Sequence, residues 1–364
     1  MKAIRELIKG SGPISFSRFM DLALYDAEGG FYRSGQQVTG RKGSFITSVS
    51  VGPVFGEIVS CFLIEEWEQK GRPASWRIIE QGAEQGNWIS DILSSMRKRS
   101  PEAYAAVQAI IIEPFSEKVE RQTETLGKAG HPEKLSWVES GQTCSSSEVF
   151  TVFISNELVD AFPFDRVLYS GGQWLEEKVS IGAEGEFIWQ TQSIPEGTLW
   201  NEIKKWKLPE MEGYRSEVQT SAQEWIKEIS GLSDQLVVLT FDYGHRAEEY
   251  YQPERKNGTA RAYHNHQRSD DLLFQPGSQD ITADVNFDLL ISAGQECGLK
   301  LRTYTDQHHF LVQEAARGLL QEWEWQIREN PEDTEMAAKL RQFKTLMHPE
   351  MMGAQFKVLV QESG

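Results

Sequence analysis

Residues 78–88 read IIEQGAEQGNW: an apolar run closes on Glu80, and two glycines follow four apart, Gly82 and Gly86. A buried strand ending in a glycine turn and leading into a helix lets a nucleotide-like ligand lie against backbone. The helix opening near Gly86 would direct unpaired amide groups at that ligand. Glu84 stands where a middle glycine would normally serve a pyrophosphate, and its charge would repel one.

A dinucleotide is therefore disfavoured. S-adenosyl-L-methionine carries no phosphate, and its positive sulfonium and ammonium groups gain from nearby carboxylates. Glu113 ends the next apolar run, where an acid can accept hydrogen bonds from both ribose hydroxyls. NAD would use the same contact, so Glu113 indicates a Rossmann-like site without choosing the cofactor. Two glycines four apart are also common, and Glu80 and Glu113 could be acids satisfied by helix amides.

Outward from this stretch the texture is one of short strands alternating with helices. WRIIEQG, AIIIEP, VFTVFISNELVD and DQLVVLTFDYG read as strands, the third entering a helix. LKLRTYTD follows as a further strand, and FKVLVQE as a final edge strand. Such alternation indicates an α/β fold, a mostly parallel sheet covered on both faces. Residues 1–75 read as a helical segment broken by a glycine-rich loop, and 76–364 as the α/β domain. An insertion at 164–232 carries a hairpin turning at Gly171-Gly172, and a polar loop spans 245–280.

Thirty-seven basic against 54 acidic side chains give a formal charge of -17, which argues against binding along nucleic acid. Three scattered cysteines fit a reducing compartment rather than a disulfide framework or zinc cluster. No apolar run is long enough for a signal peptide core or a membrane span, so a cytoplasmic protein without a membrane partner is expected. His264, His266, His308 and His309 occur as close pairs with no third ligand at helical spacing, so no metal is expected.

Taken in order, GPISFSRFMDLALYDAEGGFY, GSFITSVSVGPVFGEIVSCFLIEEW, ISNELVDAFPFDRV, FDYGH and PGSQDITADVNFDLL resemble the MidA/NDUFAF7 family of S-adenosylmethionine-dependent methyltransferases. Animal and fungal members of that family act in mitochondrial complex I assembly. The resemblance runs from about residue 12 to the last β element. It implies a Rossmann-like class I methyltransferase sheet, with its last strand antiparallel and with inserted substrate-binding elements. Three positions depart from the family pattern: Glu84 for the central glycine, Ser44 for an acid and Asp284 for a histidine.

The resemblance implies methylation of an arginine guanidinium in a protein substrate, with a respiratory-complex-related subunit as the expected target, and a homodimer is left open. A guanidinium stays protonated in water and is a poor nucleophile. Carboxylates can pair with it in a planar fork and help remove its proton. Glu157 and Asp160 are the candidates, sharing a helical face if both are helical. Asp242 joins them, to bind substrate or fix His245. The candidate cofactor residues are Phe45, Thr47, Glu80, Gly82, Gly86, Glu113 and Asn156; Asp280, Thr282 and His266 are the substrate candidates. Bland readings stand beside these: Asn156 as a helix cap, Asp280 and Thr282 as a local turn. The alternatives in function are an NAD-linked oxidoreductase and a noncatalytic, protein-binding assembly factor that retains the fold.

Overall fold

A computed structural model describes residues 2–33, 47–264 and 267–364. The chain forms two compact units. The first comprises Met1–Phe45, Val159–Trp225 and Gly244–Ser292; the second comprises Ile46–Leu158, Ile226–Tyr243 and Ala293–Gly364. The helical segment expected at 1–75 is thus divided between them at residue 45.

The second unit is built on seven strands. In chain order its elements are α1 (Val54–Gln69), β1 (Trp76–Gln81), α2 (Asn87–Arg99), β2 (Val107–Ile112), α3 (Ser116–Lys128), β3 (Leu135–Val138) and β4 (Thr151–Asn156). β5 (Leu236–His245), β6 (Leu299–Asp306) and β7 (Phe356–Ser363) complete the sheet. Their spatial order is β3-β2-β1-β4-β5-β7-β6. The first five pair in parallel, and β7 runs antiparallel to both β5 and β6. Ile78, Ile79, Val152, Phe153, Ile154, Val238 and Leu239 are all fully buried, which explains why these strands read as continuous apolar runs.

FKVLVQE is therefore an interior strand and not the expected edge. A short apolar run gives strand type but no lateral position, and here both flanks are paired. β3 went unread because LSWV is too short and too exposed to show a pattern. Against the sheet, Phe55 stacks on Trp88 at 5.2 Å between centroids, and Phe241 meets both rings edge-on. Trp88 thereby pins the start of α2 into the core.

The helix expected after the third strand does not form. Glu157 takes a left-handed backbone with φ 50°, and only a 3-10 turn follows, at Val159–Ala161. Pro163 disfavours helical backbone at the residue before it, so the turn cannot extend. Glu157 and Asp160 consequently share no helical face, and Asn156 caps no helix.

The first unit is mostly antiparallel β. Asp165–Ser170 and Gln173–Ile181 form the hairpin at Gly171-Gly172, extended by Ile14–Ser15, Phe187–Ser193 and Arg215–Val218. The helix Phe16–Tyr25, capped by the Ser15 hydroxyl, buries Phe16, Phe19 and Met20. Arg261–His264 pairs with Gln267–Ser269 and with Asp280–Thr282. Gly244 and His245, the last residues of β5, belong to this unit and pair in parallel with Val285 and Asn286.

Candidate active site

The turn between β1 and α2 alternates left-handed residues: Gly82 at φ 81°, Glu84 at φ 47° and Gly86 at φ 78°. The backbone that a central glycine would adopt at no cost is kept by a glutamate, at a strain of about 1–2 kcal/mol. Gly86 caps α2, and a Cβ there would lie 3.1 Å from the Leu126 Cδ1. Glu80, one residue before the end of β1, is buried, and its Oε2 has no hydrogen-bond partner. Burial raises its carboxyl to about 8; the Ile89 N–H opposes the rise and Asp91 adds to it.

Glu113 follows the end of β2 and is also buried. Its Oε1 accepts the Phe115 N–H at 3.1 Å, and its Oε2 accepts the Gln122 amide at 3.0 Å. Burial raises its carboxyl, against the lowering effects of Lys118 and these donors. Gln122, fully buried on α3, also donates to the Glu84 carbonyl at 3.0 Å and accepts the Trp137 indole N–H at 2.9 Å. Sequence reading passed over Gln122. Its signal was a polar residue in the stripe Val119, Gln122 and Leu126, at the spacing that faces a core.

At the end of β4, Glu157 Oε1 accepts both the Ser48 N–H at 3.1 Å and the Asn156 side-chain amide at 3.1 Å. Asn156 Oδ1 is buried without a hydrogen-bond partner. Thr47 caps the short helix Ser48–Val51 through a reciprocal pair with Ser50, so its hydroxyl serves that helix. Ser48, missed from sequence, also donates its hydroxyl to Gln307 at 3.0 Å. Asp242 is buried in β5 and accepts the Tyr243 N–H.

The other sequence candidates lie in the first unit. Asp160, Asp280 and Thr282 are all buried there. The Asp160 carbonyl accepts the Ala283 N–H at 3.0 Å, which joins its turn to the strand Asp280–Thr282. Asp280 Oδ1 accepts the Tyr32 hydroxyl at 2.8 Å and the Ile281 N–H at 3.0 Å. Burial, then the Asp160 charge, raises Asp280 to about 7, against the Tyr32 hydrogen bond. Tyr25 stacks on Tyr32 at 5.5 Å and donates to the Ala161 carbonyl. His245 pairs with Asp284 at 3.3 Å and with Glu249 at 3.2 Å, so those acids orient its ring. Asp284 also accepts from Arg261 at 2.7 Å; burial would raise its carboxyl, but His245 and Arg261 hold it below its ordinary value. Phe45, His266 and Ser44 lie outside the described residues. Among the described residues no group of three or more His, Cys, Asp or Glu could hold a metal ion, and no helix is long and apolar enough to cross a membrane.

β1, β2 and β4 are neighbours in the sheet, and acceptors stand at or just beyond their carboxyl ends: Glu80, Glu113 and Asn156. Two of the three retain a buried oxygen with no partner. These carboxyl and amide oxygens suit a ligand that presents an ammonium, a sulfonium and two ribose hydroxyls, with Glu80 giving up its proton to the positive charge, and suit a pyrophosphate poorly.

The comparisons agree. Residues 58–305 match the family described as "Putative S-adenosyl-L-methionine-dependent methyltransferase". The chain is similar to the mitochondrial protein arginine methyltransferase NDUFAF7 homolog of Drosophila melanogaster, at 25% identity over 390 residues, covering 100% of this chain and 84% of the relative. Its likeness to NDUFAF7 of Danio rerio, also named mitochondrial, is 25% over 376 residues, covering 98% and 85%. A crystal structure of a Burkholderia thailandensis protein bound to S-adenosyl-homocysteine superposes with TM-score 0.87 at 26% identity, covering 99% of this chain and 91% of that one. The cytoplasmic expectation is corrected by the names: these curated relatives are mitochondrial, and neither cysteine spacing nor hydropathy distinguishes the two compartments. The chain belongs to the matched family, and it is an S-adenosyl-L-methionine-dependent methyltransferase with a Rossmann-like α/β fold.

Proposed function

We propose that the protein methylates an arginine side chain of a protein substrate. The curated relatives named above are protein arginine methyltransferases, which supports that acceptor class. The observation that carries the reading is Glu157: a charged residue in left-handed backbone beyond a central strand, its carboxylate fixed by the Ser48 amide. Strain of this kind persists where the surroundings over-determine it, often at sites of chemistry.

When bound, S-adenosyl-L-methionine supplies a methyl group on a positive sulfur, which leaves with the electron pair of the broken S–C bond. Glu80 meets the cofactor's positive end, and Glu113 accepts from its ribose. Gly82 and Gly86 allow it to approach the backbone, and Asn156 offers its buried oxygen. Glu157 pairs with the substrate guanidinium, aims one nitrogen and accepts the proton that this nitrogen loses as its new bond to carbon forms. In the first unit, taken by itself, Asp160, Asp280 and Thr282 are the proposed contacts for the substrate protein. The family resemblance directs the search for the acceptor to subunits of respiratory complexes.

The test is incubation with methyl-labelled cofactor and a mitochondrial extract, followed by mass spectrometry of labelled proteins. Label on arginine nitrogen supports the proposal. Label confined to another residue type, or to small molecules, removes arginine as the acceptor.

A further inference from the structure

We propose that Gln122 is a positioning residue that sets the nucleoside site, by clamping the Glu113 carboxylate to the loop that carries Glu84. The orientation of its amide is decided by chemistry. An indole N–H only donates, so the Gln122 oxygen must face Trp137, 2.9 Å away. The NH₂ group then faces two acceptors, the Glu84 carbonyl and Glu113 Oε2, each at 3.0 Å. One N–H goes to each. The amide thus spans the loop after β1 and the acid after β2, and it spends both of its donors doing so.

This has two effects on the acid. Each Glu113 oxygen holds one fixed donor, Gln122 on Oε2 and the Phe115 N–H on Oε1. A carboxylate has about four lone-pair sites, so the two that remain point in set directions before any ligand arrives. Binding then orders less at the moment it happens. The second effect is on the loop. Glu84 holds a backbone that disfavours a side chain, and the hydrogen bond to its carbonyl helps to keep it there. Gln122 Cβ also lies 3.5 Å from where a Cβ on Gly86 would sit, so the same side chain packs under the second glycine.

The inference rests on Glu113 as the ribose acceptor, and the experiment separates the two ideas. Calorimetry measures binding of S-adenosyl-homocysteine and of its 2′,3′-dideoxy analogue to the wild-type chain and to Gln122→Glu, Trp137→Phe and Glu113→Gln. Gln122→Glu keeps the shape, removes both donors and places a second carboxylate beside Glu113. It should weaken S-adenosyl-homocysteine roughly ten- to a hundredfold near neutral pH and change the dideoxy analogue by no more than about threefold. The loss should shrink at lower pH, where a protonated carboxyl donates again. Its combination with Glu113→Gln should cost less than the two losses together. Trp137→Phe keeps the amide and frees its orientation, so it should show a smaller loss with the same ribose dependence, and it covers the case of a poorly folded Gln122 variant. Equal losses for both ligands, or additive losses with Glu113→Gln, overturn the proposal and leave Gln122 as packing. Equal affinity of the wild type for the two ligands overturns the ribose role of Glu113 together with it.

Discussion

Ser48 donates its backbone N–H to Glu157 Oε1 across 3.1 Å, at the first turn of the helix Ser48–Val51. A helix N-terminus favours an adjacent negative charge, and this hydrogen bond fixes the position of the carboxylate. An amide at 157 can still accept that N–H but cannot take a proton. Glu157→Gln should therefore leave the melting temperature and cofactor affinity nearly unchanged while slowing methyl transfer by about 10²- to 10⁴-fold. Single-turnover kinetics beside calorimetry decide it; a normal rate with weakened cofactor binding would move Glu157 out of the chemistry.

The left-handed Glu84 predicts an unusual pair of outcomes. Glu84→Gly relieves strain of about 1–2 kcal/mol but frees the unfolded chain by up to about 1 kcal/mol. The net effect is neutral to stabilising by up to about 2 kcal/mol. Glu84→Val, branched at Cβ and held at the same φ, should destabilise by at least about 1 kcal/mol. Urea unfolding of the two variants checks the sign, and a destabilised glycine variant would contradict the backbone assignment.

Glu80 makes the cofactor-free protein sensitive to alkali. Its carboxyl rises from 4.5 to about 8 on folding, so the folded state holds the proton more tightly than the unfolded chain does. The stability it contributes is full below about 4.5 and is lost as pH rises towards about 8, at up to about 1.4 kcal/mol per pH unit. Asp91, pushed up to about 7 by burial and by Glu57, adds a slope of the same sign. Glu80→Gln should flatten the profile across that window. Cofactor binding near pH 7 should release a proton, seen as a dependence of the binding heat on the buffer. No proton release would separate Glu80 from the cofactor.

In the first unit, Asp280→Asn should separate stability from turnover. The carboxyl rises from 3.8 to about 7, by burial and then by Asp160, so its contribution is full below about 3.8 and fades towards about 7. At pH 8 an ionised Asp280 faces Asp160, and the amide removes that repulsion while keeping the acceptor for Tyr32. The variant should gain about 1 kcal/mol at pH 8 and lose substrate methylation. Wild-type turnover in this variant would leave Asp280 as a structural residue only.

The strands were legible because parallel sheets bury both faces, and runs such as RIIE and LVVLTF have few other uses. The glycine loop and Glu113 were legible as the ends of those runs. Lateral position was not: nothing in FKVLVQE distinguishes an edge from the place between β5 and β6. The 157–161 turn was misread because NELVD has good helix formers and an apparent cap, while the left-handed φ at Glu157 is imposed by the surroundings. Gln122 was missed because a glutamine on a polar helix usually faces water. Thr47 was linked to cofactor by resemblance, but its capping pair with Ser50 depends on where a helix begins.

The placement of β7 has a consequence for how the molecule is made. Among the described residues, β6 pairs with residues 356–363 alone. During synthesis, a chain that has emerged no further than residue 355 exposes the open flank of β5 and leaves β6 unanchored. Both pairings on that flank, β5 with β7 and β7 with β6, therefore wait for residues 356–363, and a chain still without them offers open strand edges for intermolecular association.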